Sequence, residues 1–495
     1  MVLRLKSFAP LRLRLMSKSK FLFAVLPLAL AGCTSTNPNA AFKDVDDTVK
    51  ARAGESARWL RDDAQSRDAA QTVEMLLRTN LTAQSAVTIA LLNNRALQAK
   101  YEEIGISQAE LAQVSRLHNP VLFGSWRFPN QPPSFLDAEY SASADFLDVL
   151  TLHARKKIAA QNLAAMKWHV ADEVLRSGAE VQSAFYTMQA GQDLISRLSA
   201  VAELNGEAAD FAQRQYDAGN INDLQLLNFQ AAAAQGRLDV MQAKMQAAMD
   251  RERLNRLLGL SGAQINWKIG EPLAPPMASE PPLENLEALA VSQRLDLIAM
   301  RGERDALAAA LRLKKNTRLI PGATVGIDTE RSVNGDAGQR VTGPTLSVEV
   351  PLFDQGQPAV ARLAAQFRQA QDHLDAMEVD VRSEVRQAQE ALLSARAIAE
   401  HYDKTLLPQR RLIVRQTLLQ YNAMQKDTYE LLAAKEHEQN AERGYVEALR
   451  DYWMARAMLE RAVGGRLQGG VAGAKSEAAK PEMPDMPGMP GMHHH

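Results

Sequence analysis

Two stretches of this chain keep a 4-3 spacing of small and apolar residues for longer than any compact domain needs. One holds Val170, Val174, Ser177, Val181, Ala184, Met188, Gly191, Ile195, Leu198 and Ala202. The other holds Val381, Val385, Ala388, Leu392, Ala395, Ala399, Tyr402 and Leu406. Such spacing is a coiled-coil seam, and it predicts long helices over about 151–215 and 359–420. About 60 residues rising ~1.5 Å each make a rod of roughly 90 Å. Many seam members are small, so neighbouring helices approach closely and one stripe alone buries little apolar area. A two-helix coiled coil is the simplest reading. Dense packing of many helices, seamed on both flanks, suits the small residues better.

The two seams belong to a unit that occurs twice. "YDAGNINDLQLL" from Tyr216 and "YNAMQKDTYELL" from Tyr421 share tyrosine, alanine and a closing leucine pair. The same shift brings Ile158 onto Leu363, and a nearly equal one brings Pro120 onto Pro321. Each copy opens with a helical segment, continues through a stretch of strand character at about 120–147 and 322–352, and then enters its long helix. "TLSVEV" in the second copy alternates apolar and polar, the period of a strand with two different faces. The organisation expected is 80–260 for the first copy, 261–284 for a Pro-rich linker, 285–464 for the second copy and 465–495 for a tail. That tail is dominated by Gly, Ala and Pro, so disorder is expected there.

Residues 1–20 carry six basic side chains and no acid, and "FLFAVLPLALAGC" follows. A charged start and an apolar run of about a dozen residues read as a signal peptide, too short to span a bilayer as a stable helix. Translation from Met16 would leave a complete signal, so Met1 and Met16 are both candidate starts. Leu30-Ala31-Gly32-Cys33 resembles the lipobox of bacterial lipoproteins, which implies cleavage after residue 32 and lipid on Cys33; the alternative is an ordinary secretory signal with a chance cysteine. Residues 33–79 would then be a lipid-anchored lead-in. Thr34, not an acid, follows the cysteine, which by the same resemblance favours the outer membrane. Cys33 is the one cysteine, so no disulfide forms within the chain. A net charge of −1 gives no bulk attraction for nucleic acid.

In their order, signal, duplicated unit, strand pairs, long helices and tip turns resemble the TolC-type outer-membrane efflux channels. The second copy carries Pro408 in its long helix, Tyr421 before the tip, Leu431 and Leu432 after it, and a closing "LERAVGG"; the first copy has Tyr216 and Gly219 at its own tip. The resemblance covers about residues 80–464. It implies a mainly α fold with a small β part. The helices would join a periplasmic α-barrel, and four strands per chain would join a twelve-stranded barrel of a homotrimer in the outer membrane. A periplasmic adaptor and an inner-membrane pump would be its partners. Physics agrees that four strands cannot close alone and that open edges are not tolerated in lipid.

The same resemblance places Glu430 at a periplasmic gate position, with Asp427 beside it, and puts Ala433 where a second acid often stands. Three copies of Glu430 around an axis would repel anions and attract cations; the alternative is a solvated helix-face acid. Asp223 in the first copy is a weaker gate candidate that suits a helix cap. No nucleophile elbow, P-loop, dinucleotide fingerprint or zinc-protease spacing occurs, so no enzyme and no required cofactor are expected.

The tail ends in "PEMPDMPGMPGMHHH". Met483, Met486, Met489 and Met492 recur every third residue with prolines between them, the period of a polyproline II helix. Thioethers on one side select Cu(I) and, by the same softness, Ag(I); His493, His494 and His495 add borderline ligands. The expected function is the passive channel of a tripartite efflux system exporting copper or silver. The alternatives are a channel for drugs or other organic solutes, and a non-conducting periplasmic metal-binding lipoprotein with a coiled-coil body.

Overall fold

The computed structural model describes residues 38–128, 130, 137–331 and 340–467. Met1, Met16, Cys33, the tail methionines 483, 486, 489 and 492 and His493 to His495 lie outside the described residues.

Four helices precede the first strand pair: α1 (Pro38–Ala53), α2 (Asp63–Arg78), α3 (Ala83–Asn93) and α4 (Arg95–Val114). Strands β1 (Val121–Arg127) and β2 (Asp137–Asp145) lead without a loop into α5 (Phe146–Asp217), because Asp145 caps the helix by accepting from the Leu147 amide. The 72 residues of α5 make a rod of roughly 110 Å. Helix α6 (Asp223–Leu258) returns along it. After an irregular linker come α7 (Leu286–Gln293), α8 (Leu295–Thr317), β3 (Ala323–Arg331), β4 (Arg340–Val348) and α9 (Gln357–His401). A π-turn, Tyr402–Leu406, joins α9 to α10 (Leu407–Asn422), and α11 (Thr428–Val463) returns.

Three expectations about elements are refined here. The helical segments expected over 80–117 and 285–317 each break, at Asn94 and Arg294, whose backbones are extended. The long helix expected over 359–420 is interrupted by the π-turn just ahead of Pro408. Proline lacks the N–H for the i−4 bond and its ring crowds that carbonyl, so a wider turn relieves both.

The two breaks position the rods. Helix α3–α4 turns over the end of α6, where the Asn93 and Asn94 side-chain amides donate to the carbonyls of Leu257, Leu258 and Gly259. Gly259 ends α6 at φ 67°, and a Cβ there would meet the Asn93 carbonyl oxygen at 2.7 Å. Likewise α7–α8 turns over the end of α11, with the Gln293 amide donating to the Val463 carbonyl. Helix C-termini leave carbonyls without intrahelical partners, and these junctions satisfy several of them. The result is one layer of four columns: α4 stacked on α6, then α5, then α8 stacked on α11, then α9–α10.

A belt lies against one face of that layer. Phe42, Val45 and Val49 of α1 share a buried core with Leu163, Val170, Val174 and Val181 of α5. The linker crosses the columns in sequence. Trp267 is buried beside α6, donating to Asn255 and covered by Arg251 at 4.0 Å. Gln189 of α5 donates to the Glu271 carbonyl, and Trp453 of α11 to that of Ala274. Glu280, with its side chain 7% exposed, accepts from Tyr452 at 2.5 Å and Arg456 at 2.6 Å and pairs with Arg396 of α9 at 3.5 Å.

The sheet runs β1-β2-β3-β4, antiparallel throughout. Its register puts Leu122, Trp126, Ala142, Ile327, Val325 and Leu346 on one face. The other face carries Ser125, Glu139, Ser141, Asp328, Thr324 and Thr345. Trp126 and Tyr140 meet edge-to-face at 5.8 Å, with the indole N–H donating to the phenol. β1 and β4 are each paired on one side only.

Candidate gate and inner wall

Two tips end the rods, and they differ. Between α5 and α6 the chain turns through Gly219 at φ 75°, and Asn222 closes a reciprocal capping box with Gln225. The cap is therefore Asn222. Asp223 is the first helical residue and is exposed, where a carboxylate complements the helix dipole. Between α10 and α11 the turn passes through Met424 at φ 58°, a strained conformation for a side chain of that size. Asp427 caps α11 by accepting from the Glu430 amide at 2.9 Å, and Glu430 accepts in return from the Asp427 amide at 3.3 Å. Glu430 also pairs with Lys426. Asp427 and Glu430 thus meet each other, whereas Asp223 belongs to the other tip. The Glu430 carboxylate is 41% exposed, committed to the cap and partly neutralised by its lysine.

The face of the column layer opposite the belt, which a closed ring would make its inner wall, carries a different set of side chains. On α9, Arg386, Gln389 and Arg396 reach the belt, and Glu384, Gln387 and Ala391 lie on the other side of the helix. On α11, Tyr452, Trp453 and Arg456 reach the linker, and Asp451, Met454 and Met458 lie opposite. Charged groups gather on this wall near the belt. Arg294, nearly buried, pairs with Asp296 at 2.6 Å and Glu384 at 2.5 Å. Asp172 of α5 is pushed up to about 6 by burial and by the like charge of Asp296. His169 pairs with Glu303 at 2.8 Å, which raises the imidazole above its usual range.

The outer columns of the layer have bare flanks. α6 exposes Leu224, Leu227, Leu238, Met241, Met245 and Met249 at mixed three- and four-residue steps, away from the stripe that packs on α5. At the other edge Leu393, Leu412 and Leu419 are exposed. The linker anchor Glu280, the junction residue Arg294 and these flanks went unremarked in the sequence. The α6 flank was visible there as a heptad stripe. The anchors had no signal beyond an acid in a Pro-rich run and an arginine before "LDL".

Among the described residues no group of three or more His, Cys, Asp or Glu is placed to hold a metal ion, and no helix is long and apolar enough to cross a membrane. No protein-family model matches the chain. The cobalt-zinc-cadmium resistance protein CzcC of Cupriavidus metallidurans is 21% identical over 389 residues, which is 78% of this chain and 90% of CzcC. A structure of CusC, solved to describe folding and transmembrane channel formation, aligns with a TM-score of 0.66 at 17% identity over 78% of this chain and 93% of that one. The Campylobacter jejuni CmeC outer membrane channel aligns with a TM-score of 0.66 at 15% identity over 78% of this chain and 86% of that one. Matched over most of its length to structures of this kind, the chain has the TolC-type fold of the outer-membrane efflux channels.

Proposed function

We propose that this chain is the outer-membrane duct of a tripartite efflux system, closed as a ring of three copies and exporting soft metal ions. The observation that carries the duct is the four-stranded sheet, mainly apolar on one face, mainly polar on the other apart from Val121, Phe123 and Val341, and unpaired along both edges. A sheet with one lipid-facing and one water-facing side is the pattern of a transmembrane barrel wall, and its open edges require further copies. The helical layer has the same property. Its bare α6 flank on one side and α9–α10 flank on the other are two different surfaces, which join head to tail and generate a ring.

The anchor fits this arrangement. α1 runs alongside α5 in the same direction, with Asp44 bonded to Lys167 at 2.6 Å. Pro38 therefore lies roughly 20 Å along the rod from Phe146. Five further residues back to Cys33 span up to about 17 Å, which brings Cys33 close to the level at which the sheet begins and leaves the remaining few ångströms to the lipid itself. A periplasmic adaptor and an inner-membrane pump supply docking and energy; the duct itself catalyses nothing.

Metal cargo rests on the tail. Four evenly spaced thioethers favour Cu(I) and Ag(I), whereas the name of CzcC points to divalent ions. The thioether chemistry is preferred here, because 21% identity does not carry a cargo across. The tail's root supports a role outside the duct: Arg466 is held at the belt by the Arg52 carbonyl and by Gln84.

Heat-resistant trimers in detergent and single-channel conductance in planar bilayers test the duct; a soluble, non-conducting delipidated protein refutes it. Copper and silver tolerance of a deletion strain tests the cargo. Complementation uses the full chain, a form ending near Gly470, and the four tail methionines changed to leucine. Sensitivity of the deletion strain to drugs alone refutes metal export. Equal rescue by all three forms makes the tail dispensable.

A further inference from the structure

The described part of the chain holds a second set of thioethers, on the inner wall. A groove of about 490 Å³ lies between α9 and α11 on the side away from the belt. Alanines of both helices form its floor, Ala388 and Ala455 among them, and Met454 and Met458 stand one helical turn apart along it. Met458 is 52% exposed, so it is not core packing. The Met454 sulfur lies 3.6 Å from the Thr187 hydroxyl of α5, whose proton goes to the Ser183 carbonyl at 2.9 Å, so the thioether is not tied up by that contact. Carboxylates flank the pair: Glu384 and Asp451 line the groove, and Asp172 and Asp296 lie behind Arg294 and Arg461 at one end. Each lining acid already pairs with an arginine, Glu384 with Arg294 at 2.5 Å and Asp451 with Arg450 at 2.8 Å, so the charges of the lining balance and the two thioethers are left as its soft donors.

We propose that Met454 and Met458 form a binding site for a soft monovalent cation on the inner wall, with their two thioethers as its ligands. Side chains four apart on a helix have Cβ atoms about 5–6 Å from each other. With sulfur roughly 2.3 Å from a bound metal, a two-coordinate ion needs its sulfurs about 4.6 Å apart. Methionine, unbranched with three rotatable bonds, spans that range. The carboxylates are hard ligands and hold such an ion poorly on their own, so the site admits and releases it, as a conduit requires. The groove lies within one chain, between two of its own helices, so a neighbouring copy does not fill it. That it faces the duct rests on the ring reading above; that it binds the ion does not.

The probe is Ag(I) alone, titrated calorimetrically into the full chain in detergent. The tail is silenced by changing Met483, Met486, Met489 and Met492 to leucine and His493, His494 and His495 to alanine. Adding Met454→Leu and Met458→Leu, swaps that conserve volume, is expected to remove one tightly bound Ag(I) per chain. Methyl resonances of the two methionines in ¹³C-labelled protein are expected to shift with the first equivalent. An unchanged stoichiometry overturns the site. So does a loss seen instead in a Met241→Leu, Met245→Leu, Met249→Leu protein, because the ion then sits on the α6 flank. Silver tolerance of the deletion strain is scored separately, so failure of the groove and failure of metal export are told apart.

Discussion

Replacing Glu280 with glutamine should release the linker from the columns it crosses. Its carboxylate accepts two short bonds, from Tyr452 at 2.5 Å and Arg456 at 2.6 Å, and lies 3.5 Å from Arg396. Hydrogen bonds to charged groups contribute about 1.5–3 kcal/mol each. Removing one partner of a buried pair costs about 3–5 kcal/mol. Here the low end applies, because Arg456 keeps Glu460 at 3.7 Å and Arg396 keeps Glu400 at 2.8 Å. A local loss of about 3 kcal/mol corresponds to opening roughly 150 times more frequent. Hydrogen exchange followed by mass spectrometry reads this directly. The segment around Met277, whose amide donates to the Tyr452 hydroxyl at 3.2 Å, should exchange faster by about two orders of magnitude. Peptides from α1, held by a separate core, should not change. Tyr452→Phe, which removes the bond to Glu280 and the acceptor of the Met277 amide but leaves both arginines paired, should accelerate Met277 itself, and the amides around it less than Glu280→Gln does. Unchanged exchange around Met277 would refute the anchoring role, and equal acceleration in α1 would show that the substitution unfolds the belt as a whole.

Asp172→Asn should stabilise the protein at pH 7 by about 1–3 kcal/mol. An acid whose folded pKa is raised to about 6 binds its proton more tightly in the folded state, so it costs stability as pH rises from about 4 to 6. The substitution should flatten that fall in thermal melts across the same window. Gly444→Ala places a methyl against the Tyr402 hydroxyl at the π-turn and should cost about 1–2 kcal/mol by overpacking. Tyr402→Phe in the same protein removes the nearest atom but keeps the ring carbon at 2.7 Å, so it should recover only part of the lost melting temperature. Cys33→Ser should abolish incorporation of labelled palmitate and leave the precursor uncleaved; retained label would refute lipidation at that residue.

The rods were legible because their signal is repetitive. Val170, Val174, Val181 and Val385 fall where the 4-3 spacing puts them, and all are almost completely buried. The strands were legible through alternation and the turns between them. What escaped was set by contacts distant in sequence. Asn94 looks like any polar residue in a helical run; it breaks the run because its side chain caps the end of α6, far along the chain. At the end of α11 the corresponding cap comes from Gln293, while Arg294, where the run breaks, bonds Asp296 and Glu384. The interruption before Pro408 is a local effect whose remedy, a π-turn, has no sequence mark beyond the proline. Asp223, Asp427 and Glu430 lie at the two turns that end the rods, and spacing alone did not reveal that Asp427 and Glu430 bond to each other.

The four columns are not equivalent staves. α5 runs unbroken past the level of the belt, and so does α9 until its π-turn, whereas α4 meets α6 and α8 meets α11 at cuts bridged by side-chain caps and packing, with no backbone running through. Continuous and jointed staves alternate across the wall. Pulling along the axis loads the continuous pair, whose backbone hydrogen bonds run through. Twisting loads the joints, where a change in angle rearranges caps and leaves the helices intact. A wall built this way is stiff in length and compliant in torsion, and its point of compliance lies directly under the linker that binds all four columns together.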